Sequence, residues 1–268
     1  MKSQTALDPK ATVLDGTVGK IAYAQAGTEG PYLILVHGCP GSRWDFRWWL
    51  SELSQWSRVI VVDMPGYGDA TPTQFPATTA GRTAYLSEVL DTLDIDKAFV
   101  VSHSFGATAV VDFALRYPER VQAIALLAPI GPRIHKGLRR FKARGLFHRL
   151  AKVPRFGERA ILKLKNGMTR SGFSEYLTVG EIIRMLDLLA DFDFKAYAQQ
   201  LTQLDVPAFV AHAIDDPLIE MAIVEELVNR LGRPRFHVLA TGGHAIQKTM
   251  GIELSESLRN WAEEHCDA

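Results

Sequence analysis

The pentapeptide Ser102-His103-Ser104-Phe105-Gly106 constrains this chain more than any other stretch. It follows the apolar run Ala98-Phe99-Val100-Val101 and precedes the helix-compatible Ala107-Thr108-Ala109-Val110-Val111, so Ser104 falls on a strand-to-helix junction. A serine held in a sharp, strained turn of that kind needs small residues two positions to either side, where the chain closes on itself. Gly106 meets the demand fully, and Ser102 meets it with a small side chain where the usual G-x-S-x-G pattern has glycine. Alone, Ser104 also fits a helix N-cap, whose hydroxyl accepts a first-turn N–H. The rest of the chain separates the two readings.

An alcohol near neutral pH is a poor nucleophile, so Ser104 needs an imidazole to take its proton and a carboxylate to orient that imidazole. The strand-like run 206–213 ends at Ile214-Asp215-Asp216-Pro217, and the run Phe236-His237-Val238-Leu239 ends at Thr241-Gly242-Gly243-His244. Of the eight histidines, His37 and His103 belong to other segments of the candidate site, and His212 and His237 lie inside apolar runs. His135, His148 and His265 sit in helical, charged surroundings and read as surface, which leaves His244 as the base. Upstream, Tyr32-Leu33-Ile34-Leu35-Val36 runs into His37-Gly38-Cys39-Pro40-Gly41. A glycine-containing loop after a strand can turn backbone N–H groups toward a developing oxyanion, and the N–H groups of Cys39 and Phe105 are the candidates.

With these segments and the turn Asp63-Met64-Pro65-Gly66-Tyr67-Gly68, the chain resembles the α/β-hydrolase superfamily over residues 18–262, in particular esterase-like members with an HGxPG oxyanion loop. The resemblance implies an α/β-hydrolase fold, with a mostly parallel eight-stranded sheet flanked by helices and a helical cap inserted after strand 6. It implies the chain order nucleophile, acid, histidine, and neither cofactor nor metal. Its G-x-x-D pattern places the acid three residues beyond a small residue, here Ala213, which favours Asp216 and leaves Asp215 as the alternative. The expected division is a core of 1–131 and 195–268 and a cap of 132–194.

Short apolar runs alternate with helical periodicity, which argues independently for a largely parallel sheet covered on both faces. Helices are expected at Arg43–Gln55, Ala80–Leu93, Ala107–Tyr117, Ile219–Leu231 and Ile252–Glu264. Between Gly131 and Phe194 strand signals vanish. The chain carries thirty residues of each charge sign, yet residues 132–170 hold thirteen Lys or Arg and one acid, Glu158, a net +12 that leaves −12 elsewhere. Apolar residues interleave with these bases. The pattern fits a solvated helix face, an anionic substrate, an acidic carrier protein bearing an acyl chain, or an anionic membrane surface. The neutral total argues against nucleic acid. Cys39 and Cys266 make no disulfide framework, the first ten residues lack a signal-peptide core, and no run reaches membrane-spanning length, so the expected location is cytoplasmic.

The expected activity is hydrolysis of carboxylic esters through an acyl-enzyme, on a small-molecule ester or acyl substrate. The same triad accommodates a thioesterase or acyl-carrier ester hydrolase, a C–C bond hydrolase acting on a diketone, a haloperoxidase-like perhydrolase, or a receptor-like protein that keeps the triad and binds a signal. A serine at the turn argues against epoxide hydrolase and dehalogenase chemistry, which in relatives of this fold runs through an aspartate.

Overall fold

The computed structural model describes residues 6–142, 156–170, 173, 177–190 and 192–265. Eight strands, β1 Thr12–Gly16, β2 Gly19–Ala26, β3 Tyr32–Val36, β4 Arg58–Asp63, β5 Ala98–His103, β6 Val121–Leu127, β7 Ala208–Ala213 and β8 Arg235–Leu239, form one sheet in the order β1-β2-β4-β3-β5-β6-β7-β8. Only β2 runs against its neighbours; the other pairings, from β4 across to β8, are parallel. Strands this apolar on both faces need cover on both. The period-2 alternation delivers it: Leu33, Leu35, Val59 and Val61 join the core on one face, while Ile34, Val36, Ile60 and Val62 join the core on the other.

The helices are α1 Leu50–Leu53, α2 Thr79–Thr92, α3 Gly106–Arg116, α4 Lys136–Lys142, α5 Phe156–Arg170, α6 Val179–Ala190, α7 Phe194–Gln203, α8 Met221–Arg230, α9 Ile246–Thr249 and α10 Gly251–Glu263. One sheet face carries α2, α3, α7 and α8 through residues such as Tyr85, Val110, Tyr197 and Val224; the other carries α1 and α10 through Leu50, Leu53, Leu258 and Trp261. Among the described residues, helices alone occupy the span between β6 and β7, and α5 and α6 share a small core of their own built on Ile161, Leu164, Met168, Ile182 and Met185. No described helix is long and apolar enough to cross a membrane.

The expected helix from Arg43 to Gln55 is instead a 3₁₀ turn, Arg43–Phe46, followed by the single turn α1. The Arg43 N–H donates to Asp63 Oδ1 at 2.7 Å and its guanidinium, itself buried, pairs with the Asp63 carboxylate and with Asp69. That pinning fixes the start of the segment against the end of β4. The chain behind it closes with i→i+3 bonds at Asp45, Arg47 and Trp49.

Candidate active site

Ser104 lies between the end of β5 and the start of α3 with φ +53, in the left-handed region where a side chain is strained. The surroundings enforce that conformation. Its N–H donates to Leu127 O at 2.9 Å, and its carbonyl accepts from Ala107 N–H and Ile130 N–H at 3.2 Å each. A Cβ at Gly106 would lie 2.8 Å from the Val36 carbonyl oxygen and 2.9 Å from that of His37, so backbone atoms exclude any larger residue there. Ser102, fully buried, fills the other flank of the turn.

The Ser104 hydroxyl meets His244 Nε2 at 2.9 Å, and His244 Nδ1 meets Asp216 Oδ2 at 2.8 Å. With Nδ1–H donating to the carboxylate, Nε2 is the acceptor for the serine proton. The Asp216 side chain is fully buried, and its Oδ1 accepts from Leu218 N–H at 2.7 Å and Ile219 N–H at 3.0 Å. Burial works to raise its pKa, but the hydrogen bond and charge of His244 and the two backbone donors prevail and hold it below the usual carboxylate value. Asp215 takes a different part: its carboxylate accepts from Gly243 N–H at 2.7 Å and so ties the loop that carries His244. Geometry thus places Asp216, and not Asp215, against the imidazole.

The two peptide units that carry the candidate oxyanion donors are each fixed through their carbonyls. Gly38 O accepts from His37 Nδ1–H at 2.6 Å, which orients the peptide bearing the Cys39 N–H; Ser104 O, held as above, orients the peptide bearing the Phe105 N–H. His37 Nε2 in turn accepts from Met64 N–H at 2.8 Å, which sets its tautomer. A Cβ at Gly38 would lie 3.1 Å from Ser104 Cβ, so the loop and the turn touch only because residue 38 has no side chain. His103 Nε2–H donates to the backbone carbonyl of His244 at 2.9 Å. Burial holds both His37 and His103 neutral, with pKa values lowered to about 3.

Cys39, Ser104, Phe105 and His244 line a cavity of about 310 Å³. Its walls are mostly apolar and come from α5 and α6, through Leu164, Met168, Met185 and Leu189, as well as from the core. Two of the cations in the basic segment, Lys136 and Lys163, line it too, with no Asp or Glu among the described lining residues. Others serve elsewhere: Arg133 pairs with Glu226 at 2.8 Å, and Arg139 pairs with Glu220. The side chains of Arg140 and Lys142, and all of residues 143–155, lie outside the described residues, as does Cys266.

His135 departs from its expected surface position. It is buried against the cavity, where Nδ1–H donates to Leu218 O at 2.9 Å. Trp44 is exposed and does not line the cavity, whereas Trp49 is wholly buried packing. Arg82 on α2 belongs to no motif in the sequence, yet its buried guanidinium reaches the His37 and Phe105 carbonyls.

Residues 31–178 match a family described as alpha/beta hydrolase fold. A 2-hydroxy-6-oxononadienedioate/2-hydroxy-6-oxononatrienedioate hydrolase of Burkholderia vietnamiensis is 29% identical over 261 residues, 88% of this chain and 88% of that one. Among solved structures, haloalkane dehalogenase DbeA from Bradyrhizobium elkani superposes with a TM-score of 0.77 at 20% identity, covering 95% of this chain and 98% of that one. Naproxen esterase from Bacillus subtilis superposes with a TM-score of 0.71 at 19% identity, covering 94% and 91%. At such identities the structural likenesses speak for the fold alone.

Proposed function

The chain belongs to the α/β-hydrolase family, and from that premise we propose that it is a serine hydrolase cleaving carboxylic esters with a hydrophobic acyl portion. The observation that carries this reading is the Ser104–His244–Asp216 chain of contacts, 2.9 and 2.8 Å, opening on a mostly apolar cavity of about 310 Å³. Ser104 Oγ attacks the carbonyl carbon as His244 Nε2 takes its proton. The Cys39 and Phe105 N–H groups meet the charge on the tetrahedral oxygen, and the protonated imidazole returns its proton to the departing alkoxide. Water, deprotonated by the same nitrogen, then releases the acid. Asp216 keeps Nδ1 protonated and steadies the imidazolium. Of the cap expected at 132–194, the described helices α5 and α6 shape the acyl pocket.

The substrate carries an anionic group. Lys136 and Lys163, with no carboxylate among the described residues that line the same cavity, favour a small organic anion over a carrier protein or a membrane as the target of the basic segment. A second reading, cleavage of a C–C bond in a diketone, is favoured by the Burkholderia relative, whose likeness spans most of both chains. Either chemistry passes a proton from the His244 imidazolium to the departing group, so the two readings are separated by the substrate and not by the triad.

Wild type and Ser104→Ala should be compared on p-nitrophenyl esters from acetate to a long acyl chain, and on a 2-hydroxy-6-oxo dienoate. Ester turnover lost in the variant supports the proposal, and the chain-length profile sizes the pocket. Turnover of the dienoate alone selects the C–C reading, and ester turnover surviving in the variant overturns the role of Ser104.

A further inference from the structure

Arg82 is 2% exposed, yet among the described residues no carboxylate pairs with it. Its Nη1–H donates to the Phe105 carbonyl at 3.2 Å and its Nη2–H to the His37 carbonyl at 3.3 Å, while the buried Nε has no acceptor among the described residues. The guanidinium carbon also lies 5.9 Å from the centre of the Phe105 ring. One planar fork therefore spans two segments that are 68 positions apart in sequence, the loop after β3 and the turn after β5, and these are the segments that carry the two candidate oxyanion donors.

An unpaired buried cation is expensive, because the protein interior replaces its hydration poorly. The neighbours do not neutralise it. Cys39 Sγ and Tyr67 OH, 3.0 Å from each other, both have pKa values raised by burial and stay uncharged at neutral pH, and Arg184 nearby adds a second positive charge. A helix position that needed only to hold two carbonyls could do so with a neutral amide. A fixed positive charge bonded to the two segments that carry the candidate oxyanion donors gains its value when negative charge appears between those segments, and it needs no reorganisation at that moment.

We propose that Arg82 is a positioning residue for the oxyanion site: its fork sets the spacing of the loop after β3 and the turn after β5, and its uncompensated charge stabilises the anionic tetrahedral state formed at Ser104. This rests on the reading of Ser104 as nucleophile.

The test uses Arg82→Gln, which keeps an amide donor and loses the charge, and Arg82→Lys, which keeps the charge and loses the fork. Each is measured for kcat and KM on a neutral p-nitrophenyl ester, and for affinity toward a phenylboronic acid. Boron accepts an electron pair from Ser104 Oγ as the hydroxyl proton passes to His244, giving a tetrahedral anion that mimics the proposed state. Arg82→Gln should lower kcat about 10- to 100-fold with KM within about twofold, below the loss seen when an oxyanion donor itself is removed. Boronate affinity should fall by a similar factor, and Arg82→Lys should fall between Arg82→Gln and wild type in both readouts. Where Arg82→Gln does not fold, Arg82→Lys alone decides, with a matched loss of kcat and boronate affinity expected. Folded variants that keep wild-type kcat and boronate affinity, or that lose only thermal stability, overturn the proposal while leaving the role of Ser104 intact. Ester turnover that survives Ser104→Ala overturns the underlying reading instead.

Discussion

Acid should destabilise this protein from about pH 6.5 downward, because two of its histidines are folded in the neutral form. Burial lowers the pKa values of His37 and His103 from 6.5 to about 3. The unfolded chain takes up a proton on each as pH falls through 6.5, and the native chain does not until about 3, so their contribution is whole above pH 6.5 and drains away below it. At 1.36 kcal/mol per unit, each histidine costs about 2 kcal/mol on moving from pH 7 to pH 5, roughly 4 kcal/mol for the pair. Half-buried Asp45 works the other way. Its pKa is raised by burial to about 6, so the native carboxyl binds its proton before the unfolded one and offsets about 1 kcal/mol over the same interval. The lowered pKa values of His135 and His212, again from burial, add to the loss, and the raised Asp63 subtracts from it. The net is roughly 3 kcal/mol, a large part of the 5–15 kcal/mol that holds a typical domain together. Urea unfolding followed by tryptophan fluorescence at pH 7 and pH 5 measures it directly. His103→Gln, whose amide can still donate to the His244 carbonyl, should shrink the loss by about 2 kcal/mol. Equal stability of the wild type at the two pH values would refute the reasoning.

Three further substitutions probe the site and its supports. Asp216→Asn should lower kcat on a p-nitrophenyl ester by about 10⁴-fold, because an amide facing Nδ1 favours the wrong imidazole tautomer; a loss under tenfold would remove Asp216 from the mechanism. In Gly106→Ala the new methyl meets the Val36 and His37 carbonyl oxygens at 2.8 and 2.9 Å. It should cost about 1–3 kcal/mol and lower activity further by shifting the serine turn, read by thermal melting beside kinetics. Arg43→Leu strands the wholly buried Asp63 carboxylate and should cost about 3–5 kcal/mol in urea unfolding; a change below about 1 kcal/mol would show that the pair does not anchor the loop.

Ser104, His244 and Asp216 were legible because each stands just past an apolar run, and such runs mark strands by composition alone. The small residues around Ser104 were legible for a related reason: a strained turn with backbone oxygens 2.8 and 2.9 Å from a missing Cβ admits few residue types. Groups whose role depends on a distant partner left no such mark. His135 reads as surface from its charged neighbours, yet it is buried with its Nδ1–H donating to the Leu218 carbonyl, 83 positions on. The helical pattern after Arg43 breaks because Asp63, twenty positions on, holds its first residue. Arg82 looks like an ordinary helix cation until the loops after β3 and β5 are laid over it.

The parallel sheet explains why these distant partners meet at one place. Strands that run the same way bring their carboxyl ends to one edge, so the segments after β3, β4, β5, β7 and β8 gather there however far apart they lie in sequence. His37 then reaches the Met64 N–H, His103 reaches the His244 carbonyl, and Asp215 and Asp216 reach the loop after β8. Each link ties the carboxyl end of one strand, or the segment after it, to a segment after another. A substitution that loosens any of these ties should therefore lower activity through the spacing of Ser104, His244 and the oxyanion donors before it lowers the stability of the two cores, whose apolar contacts it leaves in place.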